Sequence, residues 1–350
     1  MNRSSKPVAI WLIIGVIMLV VQILLGGITR LTGSGLSITE WNVITGTLPP
    51  LNAQQWMIEF DKYKQTPQFQ FLNFDFTLND FKFIFFWEWL HRFWARFMGF
   101  VFIVPFFVFL FQKRFNSTMV KPFIALFLFG ALQGAVGWIM VASGLTGDAL
   151  YVKPVKLALH FIFAIGLLCY TFWFALQLLI SEKQIVINSL LRKLTLIILL
   201  ILSIQLIFGA LMAGHKAATA APTWPNINGY FIPENLSFGL AELMEDKISI
   251  HFIHRTLAYL IFILVAVWTS QSYRIKENLL FTKTRFIPLL LVIIQLGLGI
   301  FCVIVSPQII PNRWGVFEWV AQLHQLMAIL FLLSLVWMLF LTSKISPTTK

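Results

Sequence analysis

The chain has 350 residues, of which 59% are apolar and only 11% charged. A water-soluble domain carries about 25% charged residues, so the composition is that of an integral membrane protein. The net charge of +12 would suit a nucleic-acid partner, but no polar helix carries an interleaved basic stripe. In a membrane protein a basic excess belongs to the cytoplasmic loops, so nucleic acid is set aside. Cys169 and Cys302 both lie inside apolar runs, which points to buried free thiols and away from a disulfide or a zinc site.

In chain order, runs of spanning length fall at approximately 8–28, 83–111, 121–142, 155–180, 191–213, 248–270, 286–306 and 319–342. The first is too long for a signal-peptide core and lacks a small-residue cleavage site, so it is kept as a mature helix. The second exceeds what lipid requires and is expected to protrude or tilt. Both termini and the loops near 112–121, 181–193 and 271–285 hold 14 of the 26 basic residues, with Glu182 and Glu277 as the only acids. The positive-inside rule places that side, with both termini, in the cytoplasm. Loops 29–82, 143–154, 214–247 and 307–318 then face the periplasm or its equivalent, and lipid surrounds the rest.

Spans two, four, six and eight start on the outer side. His91, His160, His254 and His324 lie about five to eight residues inside those starts. At a rise of ~1.5 Å per residue they share one layer, roughly 8–12 Å below the outer surface. Ionisable groups at that depth are expensive and normally face a bundle interior or a cofactor.

The halves repeat. His91-Arg92 matches His254-Arg255 at an offset of 163 residues, and His160 matches His324 at 164. Leu132–Gly137 in span three resembles Ile294–Gly299 in span seven, and Gln22–Gly27 in span one resembles Gln205–Ala210 in span five. Four spans per half is an even number, so the halves keep one orientation about an axis along the membrane normal. The expected architecture is all-α: eight transmembrane helices in two pseudo-twofold-related four-helix bundles, residues 1–182 and 183–350. Ala95, Ala164, Ala258 and Ala328 each follow a layered histidine by one turn, which clears a strip on the same face for a flat ligand. Small residues are also favoured wherever membrane helices touch.

Paired imidazoles on facing helices hold heme iron from both sides. Zinc fits less well: His251 and His254 are spaced i, i+3, and neither a cysteine nor a carboxylate completes a set. Arg92 and Arg255 directly follow histidines near the outer rim, where a guanidinium either pairs with heme propionates or snorkels to the interface. Glu88 precedes His91 by three residues, and the matched position in the second half is His251. A carboxylate beside one pocket alone suggests chemistry in the first half and electron relay in the second, with Glu88 moving protons or positioning water; a salt bridge to Arg92 or Arg96 is the competing reading. Residues Gln54–Lys64 are expected to form a short interfacial helix. Glu40 is read as a solvated or structural loop acid and His215 as a loop histidine.

Together these stretches resemble the heme A synthase family of proteobacteria and mitochondria over nearly the whole chain. The resemblance rests on Gly26–Ser37 (GGITRLTGSGLS), Gly46–Pro50 (GTLPP), Phe81–Arg92 (FKFIFFWEWLHR) and the symmetric histidines. It implies an eight-helix enzyme that oxidises the C8 methyl of heme O to a formyl group by successive hydroxylations and loss of water, giving heme A for cytochrome oxidase in the bacterial inner membrane. By the same resemblance His91 and His160 serve the substrate heme and Glu88 is the catalytic carboxylate. His254 and His324 ligate a heme b cofactor that passes electrons to an unidentified acceptor, and a heme O synthase is an implied neighbour. The chain departs from the family pattern in three ways. It lacks the cysteine pair that one subgroup carries in the first outer loop, it has Ala95 where a glycine is expected, and it has a histidine at position 251. A diheme b-type cytochrome that only carries electrons, and a transporter built on parallel repeats, are the alternatives from other classes.

Overall fold

The structure, a computed structural model, describes residues 6–40, 45–234, 236, 239–276, 278–311 and 313–343. Trp41, which follows the first outer-loop motif, and Glu277 of the basic loops lie outside the described residues. Among the described residues there are twelve α-helices. They are α1 (Lys6–Leu31), α2 (Ala53–Lys64), α3 (Pro67–Leu72), α4 (Leu78–Phe111), α5 (Ser117–Ala142) and α6 (Pro154–Leu179), then α7 (Ser189–Gly214), α8 (Leu240–Glu245), α9 (Lys247–Ser272), α10 (Leu279–Thr284), α11 (Ile287–Val305) and α12 (Val316–Leu341). Eight segments are long and apolar enough to cross a membrane: α1, α4, α5, α6, α7, α9, the α10–α11 stretch and α12. They coincide with the eight apolar runs, and α2 is the short helix expected at Gln54–Lys64.

Helix ends run slightly beyond the apolar runs because polar caps fix them. Asn116, Asn188 and Asp246 accept the backbone N–H of Met119, Leu191 and Ser249, satisfying donors that a helix start would otherwise orphan. Helix α4 gains its extra length the same way: Thr77 and Asp80 form a reciprocal capping box ahead of Leu78. Its projecting first turns bury Phe81, Ile84 and Phe85 against Phe60 and Tyr63 of α2. Burial pushes the Tyr63 phenol up to about 12, so its hydroxyl stays neutral, donating to Gln68 and accepting from Asn73. The result is a small cap over the first half at its long-loop end.

Helices α1, α6, α7 and α12 form the inner group, packed on one another around Leu168, Ile198, Leu335 and Met338. Helices α4, α5, α9 and α11 lie peripheral to them: α4 against α1, α5 against α6, α9 against α7, and α11 against α12. Without water to drive association, such contacts depend on close packing and on hydrogen bonds between helices. The buried Trp268 indole donates to Thr195 Oγ1 at 2.8 Å. Gln325 and Gln322 of α12 donate to the carbonyls of Ile23 and Leu24 on α1 at 2.9 and 3.0 Å. Gly27 gives those amides room, since a Cβ there would run into Gln325.

Two glycine substitutions should differ for a physical reason. A Cβ at Gly214 would lie 2.8 Å from Pro154 Cβ and 2.9 Å from its Cα, and a ring fused to backbone cannot yield. Gly214→Ala should cost about 1–3 kcal/mol as overpacking. Gly27→Ala meets only flexible amide ends and should cost about 1 kcal/mol in strained interhelical hydrogen bonds. Thermal unfolding in detergent checks the order, with Gly214→Ala the less stable of the two.

Candidate functional site

Each layered histidine sits on a glutamine and a glycine of the neighbouring helix. Helix α1 carries Gln22 and Gly26, α5 carries Gln133 and Gly137, α7 carries Gln205 and Gly209, and α11 carries Gln295 and Gly299. The four-residue spacing puts amide and glycine on one helix face. A Cβ on these glycines would lie 3.2, 2.8, 3.2 and 3.0 Å from Cε1 of His91, His160, His254 and His324 respectively, so the missing side chain is what seats the ring. Gln22 Nε2 donates to the His91 carbonyl at 3.2 Å, and Gln133 Nε2 to the His160 carbonyl at 3.1 Å. The same nitrogens lie 3.2–3.4 Å from both nitrogens of their imidazoles. An atom nearly equidistant from both ring nitrogens rests against the ring and is aligned with neither lone pair. In the second half the amides of Gln205 and Gln295 lie 3.5 and 3.1 Å from Nε2 of His254 and His324, so each of those rings has one nitrogen against an amide.

The rings of His254 and His324 face each other with centroids 6.5 Å apart and planes inclined by 62°. Two metal–imidazole bonds of about 2 Å and two ring radii of about 1 Å sum to nearly that span, so the pair fits one metal between two axial nitrogens. Nδ1 of both rings is buried with no hydrogen-bond partner, an arrangement that costs energy unless something else satisfies it. His91 on α4 and His160 on α6 are carried by helices that both pack against α1. Among the described residues there is no cluster of three or more histidine, cysteine or acidic side chains that could hold a metal ion. A two-ligand axial site fits these residues, and a zinc-type site does not.

Beside the first pair stands Glu88, 3% exposed. It accepts from Ser37 Oγ at 2.7 Å and Ile38 N–H at 2.9 Å, and its other oxygen pairs with Arg92 at 2.5 Å. Arg92 also donates to the carbonyls of Ile38 and Glu40. At the matched position of the second half, His251 Nε2 donates to the Ala217 carbonyl at 2.8 Å, and Arg255 binds the carbonyls of Ala221, Thr223 and Asn226. Each half thus fastens its long loop over its histidines by the same two helix positions. The first half does so through a carboxylate and the second through an imidazole. Glu40 forms an exposed ion pair with Lys62 at 3.0 Å, and His215 donates to the Met244 carbonyl at 2.7 Å.

Residues 9–336 match the family described as cytochrome oxidase assembly protein. A heme A synthase of Flavobacterium psychrophilum is 38% identical over 98% of this chain and 100% of its own length. One from Flavobacterium johnsoniae is 39% identical over 98% and 100%, and one from Novosphingobium aromaticivorans 39% over 96% and 95%. The chain belongs to the heme A synthase family.

Within this heme A synthase fold the structure brings together most of the residues singled out from sequence. His254 meets His324, His91 and His160 lie on helices that share α1 as a neighbour, and Glu88 joins Arg92. The salt-bridge reading of Glu88 is correct for Arg92, yet the carboxylate also holds the loop. Arg92 and Arg255 neither snorkel nor stand free, since loop carbonyls occupy most of their donors. The four glutamines and glycines escaped the sequence reading as histidine partners, although the spacing Gln-x-x-x-Gly recurs in all four odd-numbered spans. A cavity of about 210 Å³ adjoins Arg92 on one side and Trp138 and Val141 on the other. A second, of about 470 Å³, lies among apolar residues of α6, α7 and α12 away from the histidines.

Removing one member of a buried ion pair leaves its partner uncompensated, at a cost of about 3–5 kcal/mol. Glu88→Ala should lose stability of that order, whereas Ser37→Ala should lose about 1 kcal/mol for one hydrogen bond. Thermal or denaturant unfolding in detergent measures both.

Proposed function

We propose that this chain oxidises the C8 methyl of heme O to the formyl group of heme A, with the first half, residues 1–182, as the substrate side and the second, residues 183–350, as the redox side. The reading is carried by one observation: two like histidine pairs on matched frames, with the buried carboxylate of Glu88 three residues before His91 and an imidazole, His251, three residues before His254. His91 and His160 flank the substrate's iron, and Gln22 and Gln133 fix the tilt of their rings. Glu88, already accepting two hydrogen bonds from the 37–38 loop, stands where it can take a proton during methyl hydroxylation. Arg92 pairs with that carboxylate and fastens the 38–40 backbone beside it.

His254 and His324 are assigned as axial ligands of a resident heme b, which when bound supplies one-electron transfer. Gln205, Gly209, Gln295 and Gly299 orient the two rings. His251 and Arg255 pin the 217–226 loop over them. The remaining Arg255 Nε, buried without a partner, is assigned to a heme propionate. By the positive-inside rule the protein lies in the bacterial inner membrane with both termini cytoplasmic and the histidine layer toward the periplasm. A heme O synthase is the natural source of substrate, and a separate electron acceptor completes the cycle.

Heme extraction and chromatography of the purified protein tests this reading: heme b together with heme O or its oxidised products is expected, and heme b alone in both halves would instead make the chain an electron carrier. Glu88→Gln keeps an acceptor for Ser37 and Ile38 but loses the base, so it should retain heme b and form no heme A. Unchanged heme A output would remove Glu88 from the mechanism. His324→Ala should lose the bis-histidine spectrum of the resident heme while the helical circular dichroism persists.

A further inference from the structure

The two halves differ in one packing contact. In the second half α9 and α11 lie side by side, whereas the matched helices α4 and α5 of the first half hardly touch. The gap opens at the long-loop end into the cavity of about 210 Å³ between Arg92 on α4 and Trp138, Val141 and Ala142 on α5. Its walls continue down the helices on the same faces. Gly99 follows Arg92 by seven residues, and Gly134 precedes Trp138 by four and Val141 by seven, the spacings that align side chains along a helix. Gly130 lies one turn further along α5. A Cβ at Gly99, Gly130 or Gly134 would meet nothing within 4 Å, so these glycines border open space.

At the offsets that superpose the histidines and glutamines, Gly99 corresponds to Phe262, Gly130 to Val292 and Gly134 to Leu296. Val292 is buried and Phe262 is packed against the core. Three positions that are empty in the first half are thus filled in the second. His91, Ala95 and Gly99 run down one face of α4, so the opening is continuous with the first histidine site, and its flanks (Phe100, Leu132, Trp138) are exposed and apolar.

Building on the heme O reading, we propose that the α4–α5 seam is a side port that holds the isoprenoid chain of the substrate and lets it pass between site and bilayer. A resident cofactor without such a chain stays put, so its seam is closed by Phe262, Val292 and Leu296. A substrate that arrives and leaves with a long apolar chain needs an apolar slot open to lipid, where the chain keeps apolar neighbours throughout its passage.

The test fills the slot with the second half's residues. Purified Gly99→Phe/Gly134→Leu protein carrying its resident heme is mixed with liposomes containing either heme O or protoheme, which lacks the chain, and uptake is followed by absorbance. The double variant should take up heme O at least about tenfold less tightly than wild type, about 1.4 kcal/mol or more, with protoheme uptake and resident heme little changed. An equal loss for both porphyrins, or no loss for heme O, overturns the proposal. Should the double variant not retain its resident heme, Gly134→Cys on a Cys169→Ala/Cys302→Ala background gives a second measurement. Heme O should slow its labelling by a lipid-soluble maleimide about tenfold and protoheme should not, and equal labelling with and without heme O overturns the port. Failure of the heme O reading itself is separate: the wild-type protein would then neither bind nor convert heme O.

Discussion

Everything in this molecule is arranged around seating an imidazole against a bare stretch of helix backbone inside a membrane. A histidine there has no water to satisfy it, and a free ring would swing between rotamers. The glycine removes the Cβ that would block the ring, and the glutamine one turn away lays its amide against it. The amide contacts orient each ring, and Nδ1 of His254 and of His324 keeps no protein partner. Four copies of this contact tie a peripheral helix to an inner one. The bundle is therefore held together at the same places where its ligand positions are made.

The long loops depend on the same layer. Positions three before and one after each leading histidine, Glu88 and Arg92 or His251 and Arg255, point at loop backbone. The matched pairs do one structural job with opposite hydrogen-bonding sense: Glu88 takes N–H groups, and His251 gives to a carbonyl. This duplication lets one half change chemistry without changing shape. A carboxylate that was needed only to hold a loop would be interchangeable with an imidazole. The first half instead has a carboxylate paired with an arginine at this position.

Much of this was legible in the sequence because membrane spans are governed by length and apolarity, and both can be counted. The pairing of His254 with His324 was legible because the two halves repeat at a nearly constant offset. Partnerships outside the repeat were not. Ser37 and Ile38 reach Glu88 across some fifty residues, and nothing local in either segment marks the contact. The loop-carbonyl partners of Arg92 and Arg255 were not legible, because a carbonyl partner leaves no trace in a sequence. Gln22 and Gly26 were visible as part of a repeat, but small and polar residues are common wherever membrane helices meet, so their spacing to a histidine had no separate signal. The open seam was likewise hidden, since a glycine reads the same whether it borders a neighbour or a void.

The grip of Gln325 and Gln322 on the carbonyls of Ile23 and Leu24 has a mechanical meaning. Those carbonyls belong to the turn of α1 whose side chains seat His91, and the amides belong to residues beside His324. One helix therefore acts as the axle on which both halves are mounted. A bilayer that thickens or thins by a few ångström tilts the bundle, but the spacing between its two histidine pairs stays as this axle sets it.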